Sequence, residues 1–290
     1  MPDVSDPDCA ISQALAVVGQ GWTLLVVRDL AGGLSRFDEL QASLGVPRKT
    51  LADRLALLVA EGVVERLAYS ERPPRSSYHL TARGLGLLPV LIALQDWGTR
   101  HVLGDGSVTG AAEALETRRV HDLVGSTVPD LHLGGVDPVV GWTVLFCFPG
   151  AFAPAAAPDR DSYPPGWSEI PGTRGCTLEA ITYRDRADAF TELGVTVHGV
   201  STQRADQQQA FADWAALPFR LLSDVDLRLT GALRLPTFRA AGVDRLKRVT
   251  LLVDPGRVVQ AVQYPVTDPA GSVDDILQTI DRVARRHRGH

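Results

Sequence analysis

The chain has 290 residues, 45% of them hydrophobic and 22% charged, with a formal net charge of −5. That length allows one large domain or two ordinary ones, and the balance excludes collagen-like, mucin-like and wholly disordered chains. No run approaches the ~18 apolar residues of a membrane helix, and the acidic start MPDVSDPDCA lacks the basic and apolar regions of a signal peptide, so a cytoplasmic protein with no membrane partner is expected. Cys9, Cys147 and Cys176 are too few and too scattered for a disulfide scaffold and lack zinc-site spacing. No metal and no cofactor is expected.

In chain order, Ala10 to Leu30 reads as one helix with a broad apolar face, ended by Gly32 and Gly33. Arg36 to Leu44 is a short helix pattern, Gly45-Val46-Pro47 a tight break, and Arg48 to Glu61 a second helix with Leu51, Leu55 and Leu58 at helical spacing. Gly62 stops it. Val63 to Tyr69 and Ser76 to Leu80 read as strands around a turn at Ser70 to Arg75. Thr81 caps a long helix running through Leu94, Trp97 and His101. The Gly-, Ser- and Ala-rich stretch 104–119 reads as a linker, with a short helix pattern at Ala111 to Val120, so the domain reading is 1–103, linker 104–119, and 120–290.

Helix, tight turn, helix and β-hairpin is the order of a winged helix-turn-helix, whose second helix can enter a major groove ~12 Å wide. That helix opens with Pro47, Arg48, Lys49 and Thr50, followed by Arg54, while Arg72 and Arg75 sit at the hairpin tip and Arg36 opens the preceding helix. Cations and a hydroxyl at a helix start suit phosphate and guanine contacts. From Arg36 to Arg83 there are eight basic and six acidic residues, so the bias is local and equally describes a solvated face. Cys9, Gly19 to Thr23, Arg28-Asp29-Leu30, Arg36 to Leu40, Leu51 to Leu55, Glu61-Gly62, Pro73 to Arg75 and Tyr78 to Thr81 resemble the HxlR family of bacterial regulators. The resemblance spans about residues 9 to 103. It implies a homodimer, built from the first and last helices, on a pseudo-palindromic double-stranded DNA operator, with Cys9 where relatives often carry an oxidant- or electrophile-sensing cysteine. The plainer alternative is a domain kept for dimerisation.

Beyond the linker, strands and helices alternate: strand 142–148 ending at Pro149, helix 177–193, strand 196–200, helix 203–216, strand 219–222, a strand pair 248–253 and 258–264, and a closing helix 273–286. This is an α/β domain with a mixed sheet, so the whole chain is of mixed class. Cys176 lies in Thr173-Arg174-Gly175-Cys176-Thr177, where a loop becomes a helix, and helix N-terminal amides favour a thiolate there. Thr173 can turn a hydroxyl towards the sulfur or a bound peroxide. Cys147, mid-strand between Phe146 and Phe148, reads as a core residue.

Val124 to Leu131, Val144 to Pro149, Thr173 with Cys176, Gly199 to Ser201, Leu222 to Asp224 and Arg248 to Asp254 resemble the peroxiredoxins of the AhpC/TSA, redoxin-like group, which have a thioredoxin fold. The resemblance implies that Cys176 is the peroxidatic cysteine, Thr173 the active-site threonine, Pro149 the shielding proline and Arg248 the distant arginine. The family places Pro, Thr and Cys within eight residues, whereas a Pro-rich insertion over 150–172 separates Pro149 from Thr173 here, and Pro171 is an alternative. A thiolate at Cys176 attacking a peroxide leaves a sulfenic acid that a second thiol resolves. Either an external thiol reductant recycles Cys176, or Cys176 pairs with Cys9. Two functions follow: a redox-responsive transcription regulator whose second domain reduces or senses peroxide, or a thiol-dependent peroxidase whose first domain mainly dimerises.

Overall fold

The computed structural model describes residues 8–71, 74–154 and 163–288. The chain divides into two compact units, Met1–Leu91 and Ile92–His290, each described by itself below.

Unit 1 is a winged helix. The apolar stretch read as one helix is two, α1 (Ala10–Val18) and α2 (Thr23–Ala31), bent by 74°. Gly19, Gln20 and Gly21 interrupt the helical run, because glycines lose most backbone freedom in a helix. α3 (Phe37–Leu44) ends on Gly45 at φ +62, and Pro47 stands at the N-cap of α4 (Arg48–Ala60). Leu40, Leu51, Leu55 and Leu58 are buried with Val26, Val27 and Val63 in one cluster. Buried Asp29 joins α2 to α3 by accepting from the Ser43 hydroxyl at 2.7 Å and from its neighbour Arg28 at 2.7 Å. The antiparallel wing is β1 (Val64–Glu71) and β2 (Pro74–Leu80), paired from Val64↔Leu80 to Glu71↔Pro74 with a register shift between Ala68 and Ser70. Its strands run further than the turn chemistry at Ser70 to Arg75 suggests. Arg72 and Pro73, at the tip, lie outside the described residues. Thr81 caps as expected, accepting from the Gly84 N–H at 3.2 Å, but the helix breaks into α5 (Ala82–Leu85) and α6 (Leu88–Gly98), with a π-helical turn over Thr99–Leu103.

Unit 2 has a thioredoxin-like α/β fold. It takes in the greater part of α6 and the π-helical turn, then α7 (Ala114–His121), in the stretch read as a linker. That segment is tied into the unit: Glu116 is buried and accepts from the Lys247 ammonium at 2.7 Å and the Tyr264 hydroxyl at 3.0 Å. The helix read over 177–193 is α8 (Cys176–Asp185) and α9 (Ala187–Glu192), and that over 203–216 is α10 (Ala205–Ala215). The strands are β3 (Trp142–Cys147), β4 (Val195–Ser201) and β5 (Arg220–Ser223), then, after α11 (Arg228–Leu233), the hairpin β6 (Thr237–Ala240) and β7 (Val243–Leu246). β8 (Val249–Val253), β9 (Val259–Gln263) and α12 (Gly271–Arg288) follow. The five-stranded sheet has the order β5-β4-β3-β8-β9, with β3, β4 and β5 parallel, β8 antiparallel to β3, and β9 antiparallel to β8. Alternation along β3 separates the two cores. Leu145 and Cys147 face the cluster with α7 and α11, whereas Val144, Phe146 and Phe148 face the cluster with α8, α10 and α12. Cys176 belongs to that second cluster, so Cys147 points to the opposite side of the sheet.

Candidate functional site

Gly175 is the N-cap of α8 at φ +100, a conformation that side chains resist, and a Cβ there would stand 2.7 Å from the Pro269 ring. Glycine therefore lets the chain turn tightly enough to begin a helix on Cys176, whose sulfur is buried at 2% exposure. One turn later on the same face comes Glu179, fully buried. Arg248, just before β8, reaches across: Nη2 donates to Cys176 Sγ at 3.0 Å, Nε to Glu179 Oε2 at 3.0 Å, and Nη1 to the Gly172 carbonyl. The guanidinium fork thus holds the helix start and the loop before it in one plane.

Pro149 is buried at the end of β3, and the next residue, Gly150, turns its N–H to the Cys176 sulfur. The 150–172 insertion therefore leaves β3 beside the cysteine and returns to it. Gln203 pins the departing strand by accepting from the Ala151 N–H and donating to the Ala151 carbonyl, both at 2.9 Å. Pro171, the alternative to Pro149, is exposed. Thr173 is buried with its hydroxyl 2.6 Å from the Trp167 carbonyl and 2.8 Å from that of Ile170. Its single proton goes to a carbonyl, so towards a ligand this oxygen only accepts. Arg174 donates to the Ser168 carbonyl at 3.0 Å and has no bond to the sulfur.

The charge balance differs from the simple helix-terminus expectation. Burial pushes the Cys176 thiol up, the Arg248 charge opposes it, Glu179 adds to it, and the Gly150 N–H opposes it. Burial likewise pushes the Glu179 carboxyl up to about 7 against the pull of Arg248, and its Oε1 has no hydrogen-bond partner among the described residues. Burial also pushes the Cys147 thiol up.

A cavity of about 470 Å³ opens over the start of α8, lined by Tyr163, Pro164, Trp167, Thr173, Gly175 and Thr177 among others. Tyr163 packs edge-on against Phe152 at 5.0 Å, and its hydroxyl meets Thr177 Oγ1 at 3.3 Å. The insertion thus contributes an aromatic wall. Sequence reasoning missed Glu179, the Gly150 amide and this wall. The one local signal was a carboxylate three residues after the cysteine on the same helix face.

In unit 1, Pro47, Arg48 and Lys49 are exposed at the start of α4, and Thr50 and Arg54 are half-buried. The Arg48 guanidinium lies 4.8 Å from the Phe37 ring, and Lys49 pairs with Asp53 at 3.0 Å. Arg36, at the N-cap of α3, lies 5.5 Å from the Tyr69 ring on the wing. Arg75 is exposed on β2, and Cys9, half-buried, is the N-cap residue of α1. No single helix among the described residues is long and apolar enough to cross a membrane.

The family described as HxlR-like helix-turn-helix matches residues 17–104, and the AhpC/TSA family matches residues 169–262. An uncharacterized HTH-type transcriptional regulator from Mycobacterium bovis is 40% identical over 93 residues, 32% of this chain and 59% of that protein. This chain therefore spans little more than half the length of that relative. The regulator YvaP from Bacillus subtilis, also described as uncharacterized, is 35% identical over 91 residues, 31% of this chain and 84% of that one. Among solved structures, peroxidoxin BcpB from Mycobacterium tuberculosis is 26% identical with a TM-score of 0.44, covering 55% of this chain and 97% of that one. Through its first unit the chain belongs to the HxlR-like helix-turn-helix family, and a domain of the AhpC/TSA family follows it.

Proposed function

We propose that the chain is a redox-responsive transcriptional regulator, in which the winged helix binds a double-stranded DNA operator and Cys176 reduces or senses peroxides. The observation that carries the redox part is the Arg248 guanidinium 3.0 Å from a cysteine sulfur in the first turn of a helix. A thiolate there attacks one peroxide oxygen. The S–O bond forms as the O–O bond breaks, two electrons leave the sulfur, and the departing hydroxide or alkoxide takes up a proton. In this reading the Thr173 oxygen accepts the peroxide O–H, Arg248 stabilises the charge moving onto the leaving oxygen, and Pro149 shields the sulfur.

The sulfenic acid needs a second thiol. Cys147 faces the other side of the sheet, which favours an external thiol reductant, with Cys9 the remaining candidate for resolving or sensing. DNA contact is assigned to Arg36, Pro47, Arg48, Lys49, Thr50, Arg54 and the wing residues Arg72 and Arg75. The exposed apolar side chains Ile11 and Leu15 on α1 support a homodimer.

Gel-shift titrations on the promoter upstream of its own gene, reduced against peroxide-treated, run beside peroxide consumption with a thiol donor, test the reading. Operator affinity that changes on oxidation in the wild type and stays constant in Cys176→Ser is expected. Peroxide turnover without any DNA affinity would instead assign a peroxidase whose first domain mainly dimerises.

A further inference from the structure

Arg245, on β7, is a second guanidinium at the Cys176 site. It is 7% exposed, and among the described residues its Nε has no hydrogen-bond partner. Its Cζ lies 5.7 Å from the centre of the Trp167 ring. A Cβ added to Gly150 would stand 3.6 Å from Arg245 Nη1, and the Gly150 N–H faces the Cys176 sulfur. Arg245 therefore lies beside the glycine whose N–H favours the Cys176 thiolate.

The neighbouring buried cations are neutralised. Lys247 is matched by Glu116 at 2.7 Å and Glu113 at 3.1 Å, and Arg248 by Glu179 at 3.0 Å. Among the described residues no carboxylate pairs with Arg245. A buried cation without a counter-charge is costly, and a tryptophan face offsets only part of that cost. An anion close by would offset the remainder, and Cys176 is the group beside it that can become one. Burial pulls the Arg245 pKa down, and the Cys176 charge acts against that by favouring the protonated guanidinium.

We propose that Arg245 is a positioning residue of the peroxide reaction: its uncompensated charge supplies the net positive potential that holds Cys176 as a thiolate and, after oxidation, as a sulfenate. Arg248 orients the sulfur and the peroxide and adds its own charge, which Glu179 opposes. Besides Arg245, the groups facing Cys176 are Arg248 before β8, Glu179 on α8, Tyr163 on the insertion and the Gly150 amide after β3. The proposal rests on the thiol-peroxidase reading of the second domain.

The test is the pH midpoint of Cys176 alkylation by iodoacetamide, followed on the Cys176 peptide by mass spectrometry in the full chain. Arg245→Met is expected to raise the midpoint by about one unit, roughly tenfold less thiolate below it, and Arg245→Lys to restore most of the wild-type value. Arg245→Gln, which keeps length and hydrogen bonding, carries the same expectation where the methionine variant melts too early. A residue that merely supports the fold would lower the melting temperature in all three variants and leave the midpoint in place. A wild-type midpoint in Arg245→Met or Arg245→Gln overturns the proposal. If wild-type Cys176 is not oxidised by hydrogen peroxide or cumene hydroperoxide, the peroxidase reading fails, and the alkylation midpoints still decide the part of Arg245.

Discussion

Cys176 sits between opposite charges, the Arg248 cation that bonds its sulfur and the Glu179 carboxylate that holds Arg248. Glu179 holds Arg248 in place at 3.0 Å, yet its negative charge disfavours the thiolate. Glu179→Gln keeps an acceptor for Arg248 and removes that charge. The expected outcome is a lower Cys176 thiol pKa, read from the thiolate absorbance against pH. The same carboxyl makes stability depend on pH. Its folded value, about 7, lies above the ordinary 4.5, so the native state binds this proton more tightly than the unfolded chain. The stability it contributes is full below about 4.5 and lost as pH rises through about 7. Urea unfolding of wild type and Glu179→Gln should therefore show the wild type losing ground to the variant between pH 5 and 8, the range bracketing that midpoint. A constant difference across that range would contradict the assignment. Gly175→Ala tests the other support of the site. At φ +100, with Pro269 2.7 Å from the added methyl, it should cost about 1–3 kcal/mol in thermal unfolding and slow Cys176 oxidation by displacing the helix start.

At the scale of elements, α4 and the wing carry the expected DNA contacts. Lys49 is exposed and its pair with Asp53 is a surface ion pair, worth little in water, so it is free to exchange that partner for a phosphate. Lys49→Ala should weaken binding alike on specific and random DNA and reduce the salt slope by about 0.9. Arg48→Ala should instead cost about 1–3 kcal/mol on the preferred site and less elsewhere. Fluorescence anisotropy across a salt series separates the two, and equal effects would remove the distinction between base and phosphate contact. Elements with strong local periodicity were the legible ones: Leu51, Leu55 and Leu58 mark α4, and the apolar run 142–148 marks β3. The joint between α1 and α2 was not, because apolar spacing continues across Gly19 and Gly21 while the backbone turns by 74°. α11 and the β6–β7 hairpin escaped notice because six- and four-residue elements show no period. α11 is held instead by buried Asp224, which accepts from the Leu229 and Thr230 N–H groups at 3.0 and 2.8 Å. The site divides similarly. Thr173 and Cys176 are neighbours and could be read locally, Arg248 was reached through resemblance, Glu179 carried only its spacing from Cys176 until Arg248 met it, and Gly150 and Arg245 became visible once distant segments met.

For the molecule as a whole, the question is whether chemistry at Cys176 is read out on DNA. The two units fold around separate cores, so communication requires an equilibrium that oxidation shifts. The change proposed at Cys176 would be large for its place: a buried thiol would become a sulfenic acid with one more oxygen, in a site where its sulfur already meets Arg248. A tenfold change in operator affinity needs about 1.4 kcal/mol of difference between the reduced and oxidised forms, well within what a changed partner for a buried guanidinium can supply. The expected result is at least a tenfold shift in operator affinity after one equivalent of peroxide, absent in Cys176→Ser and reversed by a thiol reductant. Cys9→Ser sorts the route. If it also abolishes the shift, and non-reducing mass spectrometry of the wild type finds a Cys9–Cys176 linkage, the signal is a disulfide. If the shift survives in Cys9→Ser, the sulfenic acid alone is the signal and an external thiol ends it. An operator affinity indifferent to peroxide in the wild type, beside full peroxide turnover, would leave the two domains as independent activities on one chain.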